Sequence, residues 1–336
     1  MATSGIELSL SPGTNLPGVS VVLPVLNEEL HLANAVNSIL SQDYSGSLEV
    51  ILALGPSQDK TNQIAQELAS SDSRITLVEN PSGRTAAGLN AAINKSKNPV
   101  IVRVDAHSEL QKNYVSQAIE VMKSSGAVNV GGVMAAEGKS SFERSVAAAM
   151  RSPLGVGASR FHTGGKAGYV DTVYLGVFLR SAVIAVGGFD ERFIRAQDWE
   201  LNYRLRQTGG TIFFDPRLHV TYRPRSTVRA LAKQYFEYGR WRRVVSRRHQ
   251  GTINYRYLAP PFAFLGTTLS LAFALVINPI FIIPAAIYGI FLILASLITG
   301  KGIIEKLLLP IVLFTMQMSW GLGFLTSPKT LAPSKG

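Results

Sequence analysis

An Asp-x-His pair follows directly on a stretch of β-branched apolar residues. The stretch Val100–Val104 predicts a buried strand, and Asp105 and His107 stand where the chain would leave the sheet. In open α/β sheets ligands bind at this carboxyl edge. A carboxylate and a neutral imidazole can both ligate Mn²⁺ or Mg²⁺, so the pair predicts a divalent-cation site. The alternative from these residues alone is an Asp that stabilises a turn beside a surface His.

A second candidate is Asp198, in the first turn of a helix predicted over 197–205 and ended by Gly209 and Gly210. One carboxylate suffices to take a proton from an attacking hydroxyl. An Asp in this position can also simply cap the helix, and the residue alone leaves both roles open. We interpret Glu200 as a structural or positioning acid and Asp190 as a turn residue.

Alternating strand and helix patterns surround these candidates. They predict βαβ units and a mostly parallel sheet, which is an α/β fold. Asn27 is the expected N-cap of the first helix. Strands are predicted at 19–25, 48–54, 75–78, 100–104, 127–135, 169–179 and 211–214; helices at 28–40, 60–70, 85–94, 114–124, 140–150 and 197–205; a loop at 151–168.

The charge is strongly positive and unevenly distributed. The 336 residues carry a net charge of +11 with a pI of about 9.9, which indicates an anionic partner. Ten Lys or Arg residues lie in 223–256, interleaved with aromatic residues and accompanied by one acid, Glu237. The chain has no cysteine, which excludes disulfides, thiolate metal ligands and a cysteine nucleophile.

Residues 258–299 contain no charged side chain, and 307–325 form a further uncharged stretch. The first is about twice the roughly 20 residues that cross a bilayer, so it predicts two spans that turn at Asn278–Pro279, and the second predicts a third span. The alternative is a buried hairpin in a soluble protein. Because the basic segment adjoins the first span, we expect that segment inside and the C-terminal tail outside. Its position favours interfacial helices on anionic lipids over nucleic-acid binding.

The N-terminal 18 residues lack the basic and apolar regions of a secretory signal, so we expect a cytoplasmic N-terminal domain. The expected organisation is a polar tail (1–18), an α/β domain (19–222), a basic aromatic interfacial segment (223–257), a transmembrane region of about three helices (258–326) and a second tail (327–336).

Five segments together resemble a known family. They read VSVVLPVLNEE, RTAAGLNAAI, VIVRVDAHSEL, GGFDERFIRAQDWELNYRL and QYFEYGRWRR. In this order the chain resembles the membrane-associated family 2 glycosyltransferases of the GT-A fold, and most of all the bacterial succinoglycan-type exopolysaccharide glucosyltransferases. The similarity covers roughly residues 19–248, with a similar hydrophobic tail.

The resemblance implies a role for each matching residue. Asp105 and His107 stand where the family has Asp-x-Asp, and they would hold Mn²⁺ or Mg²⁺ on the donor diphosphate. Asp198 matches the general base. The remaining substrate-binding positions are the nucleotide residues Pro24, Asn27, Glu28 and Arg84, the residue before the base, Gln197, and the residues of a loosely spaced Gln-x-x-Arg-Trp-like element, Gln234, Arg240 and Trp241.

Two positions depart from the family pattern. Leu54 stands where the family has an Asp that binds the base, and we expect Asp59 to contribute instead. Gln197 replaces the acid that usually precedes the general base. For Trp241, anchoring at the membrane interface and stacking on the substrate both stay open.

The resemblance implies an inverting transfer of sugar from a nucleoside-diphosphate sugar to a membrane-held, polyprenyl-linked saccharide in cell-surface polysaccharide synthesis. Two alternatives stay open. One is transfer to polyprenyl phosphate itself. The other is a non-catalytic membrane scaffold, which the Leu54 substitution favours.

Overall fold

The computed structural model describes residues 15–253 and 255–332. Most of the predicted N-terminal tail and the last four residues therefore lie outside the described residues. By its internal contacts the chain divides into two compact units. The first contains residues up to 135 together with 164–221, and the second contains 136–163 together with 222 onwards.

The first unit is built on a mixed eight-stranded sheet, ordered β3-β2-β1-β4-β7-β5-β8-β6. Strands β1, β2, β3 and β4 pair in parallel, whereas β7 is antiparallel to β4 and β5. The predicted α/β class is confirmed. The strands are β1 (Val19–Val25), β2 (Leu48–Leu54), β3 (Ile75–Glu79), β4 (Val100–Arg103), β5 (Asn129–Ala136), β6 (Gly168–Tyr169), β7 (Tyr174–Leu179) and β8 (Ile212–Tyr222).

Thirteen α-helices occur in the described residues, and the strongly periodic ones lie within one or two residues of their predicted bounds. The helices are α1 (Leu32–Leu40), α2 (Thr61–Ser71), α3 (Thr85–Lys95), α4 (Tyr114–Ser125), α5 (Ser141–Met150), α6 (Pro153–Val156), α7 (Arg160–Thr163), α8 (Arg180–Ala185), α9 (Gln197–Gln207), α10 (Val228–Arg248), α11 (Tyr255–Val276), α12 (Ile283–Thr299) and α13 (Ile303–Thr326).

The predicted start of the first helix is wrong. Helix α1 begins at Leu32, not at Glu28, and Asn27 is not its N-cap. Asn27 adopts a left-handed backbone conformation with φ of 55°, and its side chain accepts a hydrogen bond from the Gln58 backbone. The Glu28 N–H donates to Thr61 at 2.7 Å. These contacts with the neighbouring loop fix residues 27–31 in a turn and delay the helix.

Three further local predictions are wrong. The strand predicted at 169–179 is interrupted by residues 170–173, which separate β6 from β7. The strand predicted at 211–214 continues to Tyr222, and the loop predicted at 151–168 contains the short helices α6 and α7.

The second unit contains three apolar helices long enough to cross a membrane, spanning Tyr255–Val276, Pro279–Thr299 and Ile303–Thr326. The predicted turn at Asn278–Pro279 is confirmed: Asn278 accepts a hydrogen bond from the Ile280 N–H, and Pro279 starts a short 3₁₀ helix. Side chains such as Leu275 and Ile298 are 88% and 77% exposed. Such apolar surface suits contact with lipid chains rather than water.

Helix α13 differs from the other two because amphipathic helices of the same unit line it. Near its start, Glu305 lies 4.0 Å from Arg144 of α5, and further along, Gln317 donates to the Leu154 carbonyl of α6. Beyond its end, Arg247 of α10 donates to the Ser327 carbonyl at 2.6 Å. Both ends of α13 are therefore tied to polar helices that carry basic residues.

Helices α10 and α13 approach closely at two glycines. A Cβ on Gly239 would overlap the Trp320 carbonyl oxygen, and one on Gly323 would overlap the Phe236 carbonyl oxygen. Small residues at such positions let two helix backbones touch. Because each glycine faces the backbone of the partner helix, this contact fixes the register of α10 against α13.

A buried amide pair ties helix α9 to the sheet. Asn129 of β5 donates to the Asn202 side chain at 2.7 Å, and Asn202 donates to Thr172 at 2.9 Å. Both asparagines are 0% exposed. Since α9 carries Asp198, this pair fixes that residue relative to the strands.

We expect Asn202→Ala to lower the free energy of unfolding by about 1–3 kcal/mol, because it leaves the buried Asn129 amide without its acceptor. Thermal unfolding of the detergent-solubilised chain measures the loss. The double variant Asn129→Ala/Asn202→Ala should lose less than the two single losses combined. Additive losses would show that the two amides do not depend on one another.

Candidate active site

Arg103 joins the two principal candidate carboxylates of the first unit. It ends strand β4, its side chain is 5% exposed, and its Nη1 donates to Asp198 Oδ1. Its Nη2 donates to Asp105 Oδ1 at 3.1 Å. Two nitrogens of a single guanidinium therefore hold Asp105 and Asp198 side by side. The side chain of Asp105 is 21% exposed, and that of Asp198 is 29% exposed. The two residues share this partner although 93 residues separate them in sequence.

A second side-chain contact lies near the end of β4. The Nδ1 atom of His107 is 2.9 Å from Glu28 Oε1, which brings the end of β4 against the loop after β1. The His107 side chain is 43% exposed and that of Glu28 is 20% exposed. A carboxylate that orients an imidazole through one nitrogen is the usual partner of a metal-binding histidine. The structure thus brings together Glu28 and His107, two of the predicted residues.

The loops after β1 and β2 bind each other. The Asn27 side chain accepts the Gln58 N–H at 2.8 Å, and the Asn27 N–H donates to Ser57. Asp59 accepts hydrogen bonds from the backbone and hydroxyl of Thr61 and from the Glu29 N–H. The Thr61 hydroxyl, helped by the backbone donors, lowers the pKa of the Asp59 carboxyl. Asp59 therefore shapes the loop in which it lies.

Helix α3 begins at the same edge of the sheet. Arg84 is its N-cap residue and has an exposed side chain. Gly88 in this helix allows the helix to approach β1, because a Cβ there would lie 3.2 Å from the Pro24 Cβ and 2.7 Å from the Asn80 amide nitrogen. Pro24 and Arg84 thus lie at the carboxyl edge that the sequence predicts for the nucleotide.

Ala196 is the N-cap residue of helix α9, whose first turn contains Asp198. It precedes the helix at φ 60°, a left-handed conformation that alanine rarely adopts. Strain of this kind is typical of functional sites. Gln197 is 7% exposed, and the carboxylate of Glu200 is 2% exposed and pairs with Arg204 at 2.6 Å. The structural interpretation of Glu200 is confirmed.

The remaining predicted site residues lie on α10, in the second unit. Gln234 donates to the hydroxyls of Tyr222 and Tyr238 at 2.7 and 2.8 Å. Arg240 pairs with Glu237 at 2.9 Å, and Trp241 is 1% exposed within its unit.

Asp105 and His107 fit a cation that is bound together with its substrate. The described residues include no cluster of three or more His, Cys, Asp or Glu able to hold a metal by itself. Mg²⁺ typically needs only one or two carboxylates when substrate phosphates supply further oxygens. The donor set of Asp105 and His107, with Glu28 behind the imidazole, meets that requirement.

Sequence reasoning missed Arg103, Ser57 and Thr61. Arg103 had a visible signal, because it is the only charged residue in the apolar run 100–104, and a charge in a buried strand needs partners. Ser57 and Thr61 act through hydroxyl contacts between loops, which no local pattern indicates.

Solved structures share this architecture. The mannosyltransferase PcManGT from Pyrobaculum calidifontis, in complex with GDP-Man and Mn²⁺, matches with a TM-score of 0.59 at 19% identity, covering 96% of this chain and 89% of that one. S. aureus TarS 1–349 in complex with UDP-GlcNAc matches with a TM-score of 0.52 at 15% identity, covering 92% of this chain and 91% of that one. The fold is GT-A, as the resemblance implies.

Sequence similarity then defines the family. Residues 20–187 match the model of glycosyl transferase family 2. The succinoglycan biosynthesis protein ExoA of Rhizobium meliloti (strain 1021) is 30% identical over 312 residues, which are 90% of this chain and 93% of that relative. The chain belongs to glycosyl transferase family 2 and is a glycosyltransferase.

A more distant relative comes from an archaeon. The dolichyl N-acetyl-alpha-D-glucosaminyl phosphate 3-beta-D-2,3-diacetamido-2,3-dideoxy-beta-D-glucuronosyltransferase of Methanococcus voltae is 25% identical over 266 residues. The match covers 75% of this chain and 80% of that relative.

We expect Arg103→Met to lower the free energy of unfolding by about 3 kcal/mol, because it leaves two neighbouring carboxylates without their shared cation. Arg195→Met, at an exposed position, should change it by less than about 0.5 kcal/mol. Thermal unfolding of both variants makes the comparison. Adding Asp198→Asn to Arg103→Met should restore part of the loss, and no restoration would contradict the bridging role.

Proposed function

We propose that this glycosyltransferase moves a sugar, with inversion, from a nucleoside-diphosphate sugar to a membrane-held, polyprenyl-linked saccharide in cell-surface polysaccharide synthesis. The observation that carries the proposal is the Arg103 bridge between Asp105 and Asp198. It puts a candidate diphosphate-binding residue and a candidate base beside one another at the carboxyl edge of the sheet. Inverting transfer requires one carboxylate as base, unlike the carboxylate pair of hydrolases.

Asp198 is the proposed general base. Arg103 occupies Oδ1, so Oδ2 is the oxygen that takes the proton of the acceptor hydroxyl. The acceptor oxygen bonds to the anomeric carbon as the bond from that carbon to the diphosphate breaks, and the electron pair leaves with the nucleoside diphosphate. Arg103 stays cationic throughout, since a guanidinium does not lose its proton in this range of pH.

The donor is bound by residues at the same edge. We propose that Pro24, Asn27, Glu28, Asp59 and Arg84 surround the nucleotide, with Asn27 and Asp59 acting through the two loops that they hold together. Arg84 is exposed and free to turn toward a phosphate. Gln197 stands beside the base, and Gln234, Arg240 and Trp241 are further candidate substrate-binding residues.

Asp105 and His107 would hold the divalent cation, with Glu28 orienting the imidazole. A cation bound there supplies positive charge to the departing diphosphate. The PcManGT complex, in which a GT-A fold is found together with GDP-Man and Mn²⁺, supports this assignment.

The names of two relatives support a membrane-held acceptor. One acts in succinoglycan biosynthesis, and the name of the other describes transfer to a sugar on dolichyl phosphate. The second name favours a lipid-linked saccharide over bare polyprenyl phosphate as the acceptor. The apolar helices of the second unit would hold the enzyme at that lipid.

We propose that α11 and α12 cross the membrane as a hairpin and that α13 lies on the cytoplasmic side, together with the catalytic domain. The contacts of α13 with α5, α6 and α10 at both of its ends support this arrangement. A third crossing, as the hydropathy pattern indicates, would separate the end of α13 from α10. This arrangement puts the tail inside, whereas three crossings would put it outside.

We expect Asp198→Asn to lower kcat by about 10²–10⁴-fold, because the amide cannot accept the proton. Binding of the nucleoside diphosphate with Mn²⁺, followed by calorimetry, should persist in this variant and weaken in Asp105→Ala. Transfer is measured with radiolabelled nucleoside-diphosphate sugars and bacterial membranes.

Asp171→Asn is the matched control, since this carboxylate is 72% exposed. Full transfer activity in Asp198→Asn would contradict the assignment of the base. Cation-dependent nucleotide binding without any transfer by the unaltered protein would favour the scaffold alternative.

The absence of cysteine allows the topology to be tested with single cysteines. With a membrane-impermeant maleimide on intact cells, we expect Asn278→Cys to be labelled and Gly302→Cys to be protected until the cells are permeabilised. Lys329→Cys discriminates between the arrangements: it should be protected if α13 stays inside. Labelling of Lys329→Cys in intact cells would show that α13 crosses the membrane.

A further inference from the structure

Two guanidinium groups of the second unit converge on one tyrosine at the start of α11. The Cζ atom of Arg242 lies 3.9 Å from the centre of the Tyr257 ring, and that of Arg256 lies 4.7 Å from the same centre. Arg256 also donates to the Tyr257 hydroxyl at 2.6 Å. Like charges repel, so two cations on one ring indicate a position suited to an anion.

Buried nitrogen atoms beside this pair have no hydrogen-bond partner among the described residues. They are Nε of Arg256 and Nδ1 of His162. Buried polar nitrogens are normally satisfied, and each exception calls for an explanation such as an ion. Arg256 donates to the Ala158 carbonyl at 3.3 Å, four residues before His162. Burial, followed by the charge of Arg256, lowers the pKa of His162 to about 4. The imidazole is therefore neutral at pH 7 and does not add a third charge.

Acidic side chains are few in the same unit. Residues 136–163 and 222–336 contain eighteen Lys or Arg residues and four Glu residues. Each of the four glutamates is engaged with other residues: Glu137 with Arg223, Glu143 with Ser140, Glu237 with Arg240 and Glu305 with Arg144.

The cluster also adjoins the start of a candidate membrane span. Arg256 is the last charged residue before the uncharged stretch 258–299, at the first turn of α11. Basic residues that adjoin a span on the cytoplasmic side meet the phosphates of the bilayer surface. Tyr257 stacks on Trp320 with ring centres 6.4 Å apart, and such aromatic pairs are typical of the interface.

We propose that Arg242, Arg256, Tyr257 and His162 form a binding site for the phosphate head group of a membrane lipid. The guanidiniums supply the charge, the Tyr257 hydroxyl orients Arg256, and the nitrogens of Arg256 and His162 complete the set of donors. The lipid is either a phospholipid of the bilayer or the lipid that carries the saccharide acceptor. The second source rests on the proposed function, whereas the site itself does not.

The test measures binding to the full-length protein in neutral detergent, without any sugar donor. Native mass spectrometry compares farnesyl diphosphate, short-chain phosphatidylglycerol, inorganic pyrophosphate and farnesol. We expect farnesyl diphosphate or phosphatidylglycerol to bind, and Arg256→Gln to weaken that binding by at least about tenfold, since it removes a charge-assisted hydrogen bond. Arg229→Gln removes the same charge from an exposed position of α10 and should change binding less than about twofold.

The probes identify the source of the phosphate. Stronger binding of the prenyl diphosphate would assign the site to the acceptor lipid, and equal binding of phosphatidylglycerol would assign it to the bilayer. Equal binding of farnesol or of inorganic pyrophosphate would overturn the proposal, and so would equal losses in Arg256→Gln and Arg229→Gln.

Two further variants separate binding from folding. Arg256→Lys keeps the charge and should retain more affinity than Arg256→Gln. Tyr257→Phe removes only the hydroxyl that Arg256 contacts, and we expect an intermediate loss at an unchanged melting temperature. Since no transfer is measured, binding can persist even if the proposed reaction is wrong.

Discussion

The contact between Arg103 and the two aspartates is the interaction on which the candidate site depends. A guanidinium buried at the end of a β-strand would be costly without anionic partners. The sheet supplies one partner two residues later, and α9 supplies the other from a distant part of the chain. The same charge that makes Arg103 compatible with the core therefore keeps two like-charged groups together. The left-handed Ala196 and the buried Asn129–Asn202 pair then set the position of α9.

Much of this architecture was predictable from the sequence, because β-branched runs alternate with amphipathic segments of helical length. The periodic pattern determined β1 to β4 and α2 to α5 closely. It failed where contacts distant in sequence override a local preference. Asparagine is a favoured residue type at an N-cap, yet the Asn27 side chain binds the loop after β2. Helix α1 starts at Leu32, five residues after Asn27. The candidate roles of Asp105 and Asp198 were predictable from their residue types and their positions in the predicted elements. The bridge between them was not, because only the folded structure shows that Arg103 contacts both.

Hydropathy alone gives an incomplete account of the C-terminal region. All three apolar helices have the length and composition of membrane spans. Helix α13, however, is the most buried of the three, with 44% of its most apolar stretch buried, against 11% and 17% for the other two. A hydropathy profile counts apolar residues, but it does not show whether they pack against other protein helices or face lipid. Burial against α5, α6 and α10 is the property that distinguishes a helix that belongs to a protein core from one that faces lipid.

The glycine contacts between α10 and α13 have a consequence for the order of synthesis. Helix α10 leaves the ribosome some 80 residues before the helix against which its Gly239 packs. The face around Gly239 thus lacks this partner until residues 303–326 have been made. The nascent protein must keep that face covered until α13 has been made. A truncated chain that lacks α13 would then expose this face of α10, even with an intact catalytic sheet.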